Sequence, residues 1–336
     1  MDRLKFSMLI DPRCEREELE FAVQLGFEGV YTWLRDEDLC YDAVCRIKQK
    51  TEAAGLKLYT AHSLRLSKNT SVILGQSGRD AVIEEYQILL HTLGRAGVPS
   101  TNFTWEPAPT DHWNHPIKGS TRLAACRSVD NDVITGQPLL HGREYTREEL
   151  WANYRYFIKA IMPVADEAKV GVALHPNDPP IDGAGGVPFL IRSYADYQQA
   201  MAAHDSPFLG VEFCFGCWLE GGDAFGDLEG DFRELQARNK VWVIHFRNTS
   251  GPLPSFHETH LDNGYGDMAR LARMIASTGY TRSLTLDHVP IMRGKYGRDG
   301  SLAYNMGYCR AIFDAAYENE RRKKTGRSSC RKNHYD

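Results

Sequence analysis

Long apolar runs are missing from this chain. No stretch approaches the ~20 apolar residues that cross a bilayer, and the opening Met1-Asp2-Arg3-Leu4-Lys5 has no apolar core of a secretory signal. An excess of charge of one sign is missing too. The formal net charge is −4, from 40 Lys and Arg against 44 Asp and Glu, which gives no general pull toward nucleic acid or anionic membranes. The expectation is a cytoplasmic protein whose partner is a small molecule, with no nucleic acid and no membrane. The one basic run, Arg321-Arg322-Lys323-Lys324 through Arg331-Lys332, reads as a solvated tail. Cysteine is not scarce, but the eight residues at 14, 40, 45, 126, 214, 217, 309 and 330 are scattered over a chain too large to need disulfide staples, so reduced thiols are expected.

Internal repeats and low-complexity linkers are absent as well. What the 336 residues do show is a steady alternation of short apolar or β-branched runs with longer segments of helical period. Strands are expected at 6–10, 29–33, 56–61, 101–105, 170–175, 209–214, 241–245 and 283–287, with helices between them closing at Gly26, Gly55 and Gly97. Eight strand-helix units predict an α/β fold, a (β/α)8 TIM barrel over residues 1–320 with a disordered tail at 321–336. A doubly wound sheet with an added subdomain is the runner-up, but its Gly-x-Gly-x-x-Gly phosphate turn is missing. Residues 106–145, with Pro107, Pro109 and Pro116 and no sustained period, read as a lid-like insertion after the fourth strand.

The last four expected strands each end in a residue able to bind a metal: His175, Cys214, His245 and Asp287. In a closed parallel barrel those ends share one face, where barrel enzymes place their sites. Singly, each is a satisfied polar residue or a small buried hydrophobe; four consecutive strands sharing the habit point to one divalent cation. Two imidazoles, a thiolate and a carboxylate suit Mn2+, Fe2+, Co2+ or Zn2+ better than Ca2+ or Mg2+, which prefer oxygen. Cys217, completing a Cys-x-x-Cys with Cys214, reads as structural.

Polar residues follow each ligand. Asp178, Arg247, His257 and His288 are the candidates for catalytic duty, and Asn177, Asn248 and Glu258 for holding substrate. Such groups beside a Lewis acid equip a site to abstract a proton next to a carboxylate or carbonyl, or to move a carbonyl along a polyol. The plainer alternatives are that Asp178 caps a turn before Pro179-Pro180 and that Glu258 only orients a neighbour.

The segments Leu174-His175-Pro176-Asn177-Asp178-Pro179-Pro180, Phe213-Cys214-Phe215-Gly216, Ile244-His245-Phe246-Arg247-Asn248, Phe256-His257-Glu258 and Leu286-Asp287-His288 resemble the mannonate dehydratase family of xylose-isomerase-like barrels. The resemblance covers most of the chain and is strongest from 150 to 290. It implies a Mn2+-dependent hydro-lyase that removes water from a sugar acid to give a 2-keto-3-deoxy acid. It further implies His175, Cys214, His245 and Asp287 as ligands, with Arg247 and His288 beside the substrate. By fold-level analogy it also suggests a homo-oligomer.

The chain departs from the family pattern at several places. Ser7-Met8-Leu9 stands where the family has Arg-Trp-Tyr, and Asn177-Asp178 where it has two Asp. Thr285-Leu286 replaces Arg-Pro before the last Asp, and Val289 replaces a Gly. Losing two arginines near the mouth removes bidentate partners for a substrate carboxylate. The alternatives are therefore a metal-dependent isomerase or epimerase of a sugar or keto-sugar, or a non-catalytic sugar-binding protein.

Overall fold

Short runs of β-branched and aromatic residues become the strands of a closed barrel in the computed structural model, which describes residues 2–107 and 119–325. In chain order the strands are β1 (Lys5–Ile10), β2 (Gly29–Trp33), β3 (Lys57–His62), β4 (Ser100–Thr104), β5 (Gly119–Thr121), β6 (Ala124–Cys126), β7 (Ser128–Asp130), β8 (Gly171–His175), β9 (Gly183–Ala184), β10 (Val187–Pro188), β11 (Leu209–Cys214), β12 (Val241–His245), β13 (Asn248–Thr249), β14 (Ser255–Thr259) and β15 (Ser283–Thr285). The barrel runs β1-β15-β12-β11-β8-β4-β3-β2 around its circumference, all parallel. The (β/α)8 expectation is met. Strand eight is corrected: it stops at Thr285, so Asp287 sits two residues beyond the strand rather than in it.

The helices are α1 (Arg16–Gln24), α2 (Tyr41–Ala53), α3 (Leu64–Ser67), α4 (Thr70–Ile73), α5 (Arg79–Ala96), α6 (Asn131–Thr135), α7 (Arg147–Ala168), α8 (Tyr194–Met201), α9 (Phe215–Gly221), α10 (Leu228–Ala237), α11 (Met268–Ser277) and α12 (Gly297–Lys324). Helix α7 shows why these segments are helical. Thr146 accepts from Glu149 N at 3.1 Å while the Glu149 carboxylate accepts from Thr146 N at 2.8 Å, a reciprocal cap. Leu150, Tyr154, Phe157, Ile158, Ile161 and Ala165 then repeat at three and four residues and are buried. Each such side chain contributes ~2 kcal/mol of burial. Helix α5 ends at Gly97, whose φ of +71° lets Val98 N reach back to Leu93 O at 2.9 Å.

Strand alternation sorts the barrel into two populations. Phe103, Leu174, Phe213 and Ile244 belong to the apolar layer under the helices. The opposite parity carries polar side chains into the barrel, where Thr60 Oγ1 meets Ser100 Oγ at 2.8 Å and Asn102 Nδ2 donates to Glu212 Oε2 at 2.7 Å.

The segment after β4 does not return directly to the barrel. β5 pairs with β6, β7 pairs antiparallel with β14, and Ala125 forms a two-way backbone bridge with Ile291. The insertion therefore crosses from the end of β4 to the loops that follow β12 and β15. At the other end of the chain α12 continues through Arg321 to Lys324, and residues 326–336, including Arg331-Lys332 of the expected tail, lie outside the described residues.

Candidate active site

β8, β11 and β12 end side by side on His175, Cys214 and His245, and the register pairs Cys214 directly with His245. One donor atom from each of the three lies within 4.8 Å of the other two. His175 Nδ1 sits 2.7 Å from Pro176 O, which fixes the proton on Nδ1 and leaves Nε2 with its lone pair. His245 is buried with no hydrogen-bond partner of good geometry at either ring nitrogen, although Glu212 Oε1 lies 2.7 Å from Nε2 and Asp287 Oδ2 3.5 Å from Nδ1. Asp287 thus touches the edge of the trio, while by distance it groups with Asp178 and His288.

The electrostatics suit a cation. Burial alone raises the Cys214 thiol, but Cys217, Arg247 and the two imidazoles outweigh it and hold Cys214 well below the ordinary thiol range, as thiolate. Burial likewise opposes ionisation of Asp287, yet His288, His245 and Arg247 keep its carboxyl well below the usual range. A thiolate, a carboxylate and two imidazoles, one with its lone pair free and one with unsatisfied nitrogens, are a donor set that fits a borderline divalent ion.

Arg247, which the resemblance puts beside the substrate, is buried among carboxylates at the cluster. The side chain is 2% exposed. Its Nε donates to Asp287 Oδ2 at 3.0 Å, Nη2 to Asp178 Oδ2 at 2.8 Å and to Cys217 Sγ at 3.5 Å, and Nη1 to Glu220 Oε1. A Cβ on Gly216 would come within 2.4 Å of the guanidinium carbon, so the glycine after Phe215 makes the space Arg247 fills. Burial raises the Glu220 carboxyl well above its ordinary range despite the arginine, and Cys217 is raised by burial and by the Cys214 thiolate. Asp178 is different: burial opposes its ionisation, but Arg247 and His288 hold it below the usual range, an anion and therefore a poor proton donor.

His288 follows Asp287 with φ of +25°, a region non-glycine residues seldom occupy and one found at functional sites. Its Nδ1 lies 2.7 Å from Glu258 Oε1, 3.9 Å from Asp178 Oδ2 and 3.3 Å from Arg127 Nη1. Glu258 is thus a partner of His288. His257 is not brought to the cluster, because alternation along β14 turns it to the opposite face from Glu258 and sets its Cβ against Gly119.

The two asparagines expected to bind substrate are buried and spent on the backbone. Asn177 donates to Trp105 O and accepts from Ile191 N, and Asn248 donates to Leu261 O and Gly266 O while accepting from Thr249 N and Gly266 N. They shape the loops that carry Asp178 and Arg247.

Several site residues escaped the reading of the sequence. Glu212 stands two residues before Cys214, so the same alternation that turns Cys214 inward could have found it. His62, at the end of β3, is buried, and burial pushes its imidazole down to about 4. Glu220 on α9 and Arg127 between β6 and β7 carried no local signal.

The fold and this cluster define a TIM barrel with a polar centre of metal-type donors at the carboxyl ends of its strands. The D-mannonate dehydratase (UxuA) family model matches residues 138–324, and the chain belongs to that family. It is 28% identical over 293 residues to a mannonate dehydratase of Streptococcus suis, spanning 78% of this chain and 79% of the relative. It is 26% identical over 337 residues to mannonate dehydratase 2 of Halalkalibacterium halodurans, spanning 90% and 96%. The crystal structure of mannonate dehydratase from S. suis serotype 2 shares the fold at a TM-score of 0.83 and 24% identity, covering 95% of this chain and 96% of that one.

Proposed function

We propose that the protein is a soluble, cytoplasmic hydro-lyase that dehydrates D-mannonate to a 2-keto-3-deoxy sugar acid. The observation that carries this reading is the His175-Cys214-His245 trio lying beside Asp287 and the Glu258-His288 pair. His175, Cys214, His245 and Asp287 hold the divalent ion, Mn2+ by family, with Fe2+, Co2+ or Zn2+ compatible with the same donors. When bound, such an ion draws charge from the substrate's oxygens and makes the neighbouring C–H more acidic.

The protein's own groups do the rest. Glu258 accepts the Nδ1 proton of His288, which leaves the lone pair on Nε2, 3.4 Å from Asp287 Oδ1 at the edge of the metal donors. His288 takes the proton from C2, and the imidazolium hands it to the hydroxyl leaving C3 as water. Asp178, an anion, steadies that imidazolium instead of donating a proton, and Arg247 holds Asp178 and Asp287 in place.

The test is a mass-resolved product assay of Mn2+-reconstituted protein with D-mannonate. A product lighter by one water, absent with Cys214→Ala, supports dehydration. A product of unchanged mass moves the assignment to an isomerase or epimerase.

A further inference from the structure

An aldonate carries a full negative charge, which a buried site meets with a positioned cation. Arg247 is not free to do so, since its guanidinium already faces Asp287, Asp178 and Glu220 inside the protein. Among the described residues two further cations reach the edge of the cluster, but Lys68 is paired with Glu106 at 3.5 Å and Arg298 is exposed, whereas Arg127 stands against His288.

Arg127 lies in the turn between β6 and β7 and its carbonyl accepts from Glu258 N at 2.9 Å. That places it directly across from Glu258 in the antiparallel pair, so the two side chains leave the same face, toward His288. The guanidinium is half-buried, with Nη1 3.3 Å from His288 Nδ1. That contact leaves it short of an acceptor: Glu258 at 2.7 Å claims the Nδ1 proton, so a donor of Arg127 faces a donor. Among the described residues no carboxylate stands within 4.0 Å of Arg127. Asp178 feels its charge only from beyond that distance; leaving a half-buried guanidinium without a carboxylate in contact is costly, and the backbone bridge from Ala125 to Ile291 together with the β7-β14 pair holds it there.

Resting on the dehydratase reading, we propose that Arg127 binds the substrate carboxylate and so aligns C2 with His288. It is a substrate-binding and specificity-determining residue contributed by the insertion rather than by the barrel.

The test is calorimetric titration of the Mn2+-loaded protein, wild type, Arg127→Lys and Arg127→Met, with D-mannonate and with its uncharged amide, D-mannonamide. Wild type should prefer the acid. Arg127→Met should weaken the acid about 10- to 100-fold, the worth of one charge-assisted contact, leave the amide within about twofold, and raise KM more than it lowers kcat. Arg127→Lys should keep part of the preference. Equal weakening of acid and amide, or no change in either, overturns the assignment of Arg127. If wild type itself fails to prefer the acid, the aldonate reading falls and the assignment falls with it.

Discussion

Glu212 and His245 face each other inside the barrel at 2.7 Å, and the second oxygen of the same carboxylate accepts from Asn102 at 2.7 Å. Asn102 on β4 and Glu212 on β11 thereby hold a carboxylate against the imidazole on β12. Partners that orient a metal-binding imidazole are worth about 10- to 100-fold in metal affinity. Glu212→Gln is expected to weaken Mn2+ binding by that factor, measured by competition with a chelator, with the fold intact by circular dichroism. Unchanged affinity would reduce Glu212 to a packing role.

Arg247 ties together Asp178, Asp287 and Glu220. Removing one partner of a buried ionic cluster leaves uncompensated charge and costs ~3–5 kcal/mol. Arg247→Met should therefore lower the denaturation midpoint markedly in metal-free protein. A variant of full stability with lost turnover would instead put Arg247 against the substrate.

A thiolate in the donor set has an optical signature. Co2+-loaded protein should show a sulfur-to-cobalt charge-transfer band that disappears in Cys214→Ser and persists in Cys217→Ala. Persistence in Cys214→Ser would remove Cys214 from the ligand set.

His288→Gln should lower kcat by ~10²–10⁴, the usual contribution of a positioned base, while Mn2+ content and D-mannonate affinity stay close to wild type. Loss of metal in this variant would show that His288 serves the ion rather than the proton.

Away from the site, burial together with nearby Asp227 and Glu234 pushes the Asp231 carboxyl up to about 6, although Trp218 Nε1 donates to it at 3.1 Å. Its value in the folded chain lies above the ordinary 3.8, so its contribution to stability is complete below 3.8 and is lost as pH rises through about 6. Asp231→Asn keeps an acceptor for Trp218 without the charge. It should raise Tm at pH 7 by roughly 2 °C and flatten the fall in Tm between pH 4 and 6. An unchanged slope would mean the carboxyl is better solvated than its burial implies.

The barrel was readable because its signals are local. β2, β11 and β12 have the limits expected from the sequence, since each is a short apolar, largely β-branched or aromatic run. The ends of strands are equally local, which is why His175, Cys214 and His245 emerged together. What stayed hidden depends on partners distant in sequence. β7 is three residues long and is a strand only through β14, more than a hundred positions away, so residues 106–145 looked structureless. Whether Arg247 faces a ligand or a buried acid depends on Glu220, which α9 delivers. His257 is the instructive case, since it shares a motif with Glu258 but not a face.

The crossing of the insertion gives the barrel a front and a back. Backbone hydrogen bonds between Ala125 and Ile291 and from Glu258 to Arg127 stitch the insertion to the loops that follow β12 and β15. Among the described residues the rim above β1, β2 and β3 has no such stitching, and there Trp33 and Leu64 stand exposed beside Ile10 and Ser63, with Trp33 6.0 Å from the ring of His62. The groups around the proposed base thus hang on two backbone ties, Glu258 and Arg127 on one and His288 three residues before the other, so the insertion and the barrel share the task of placing them.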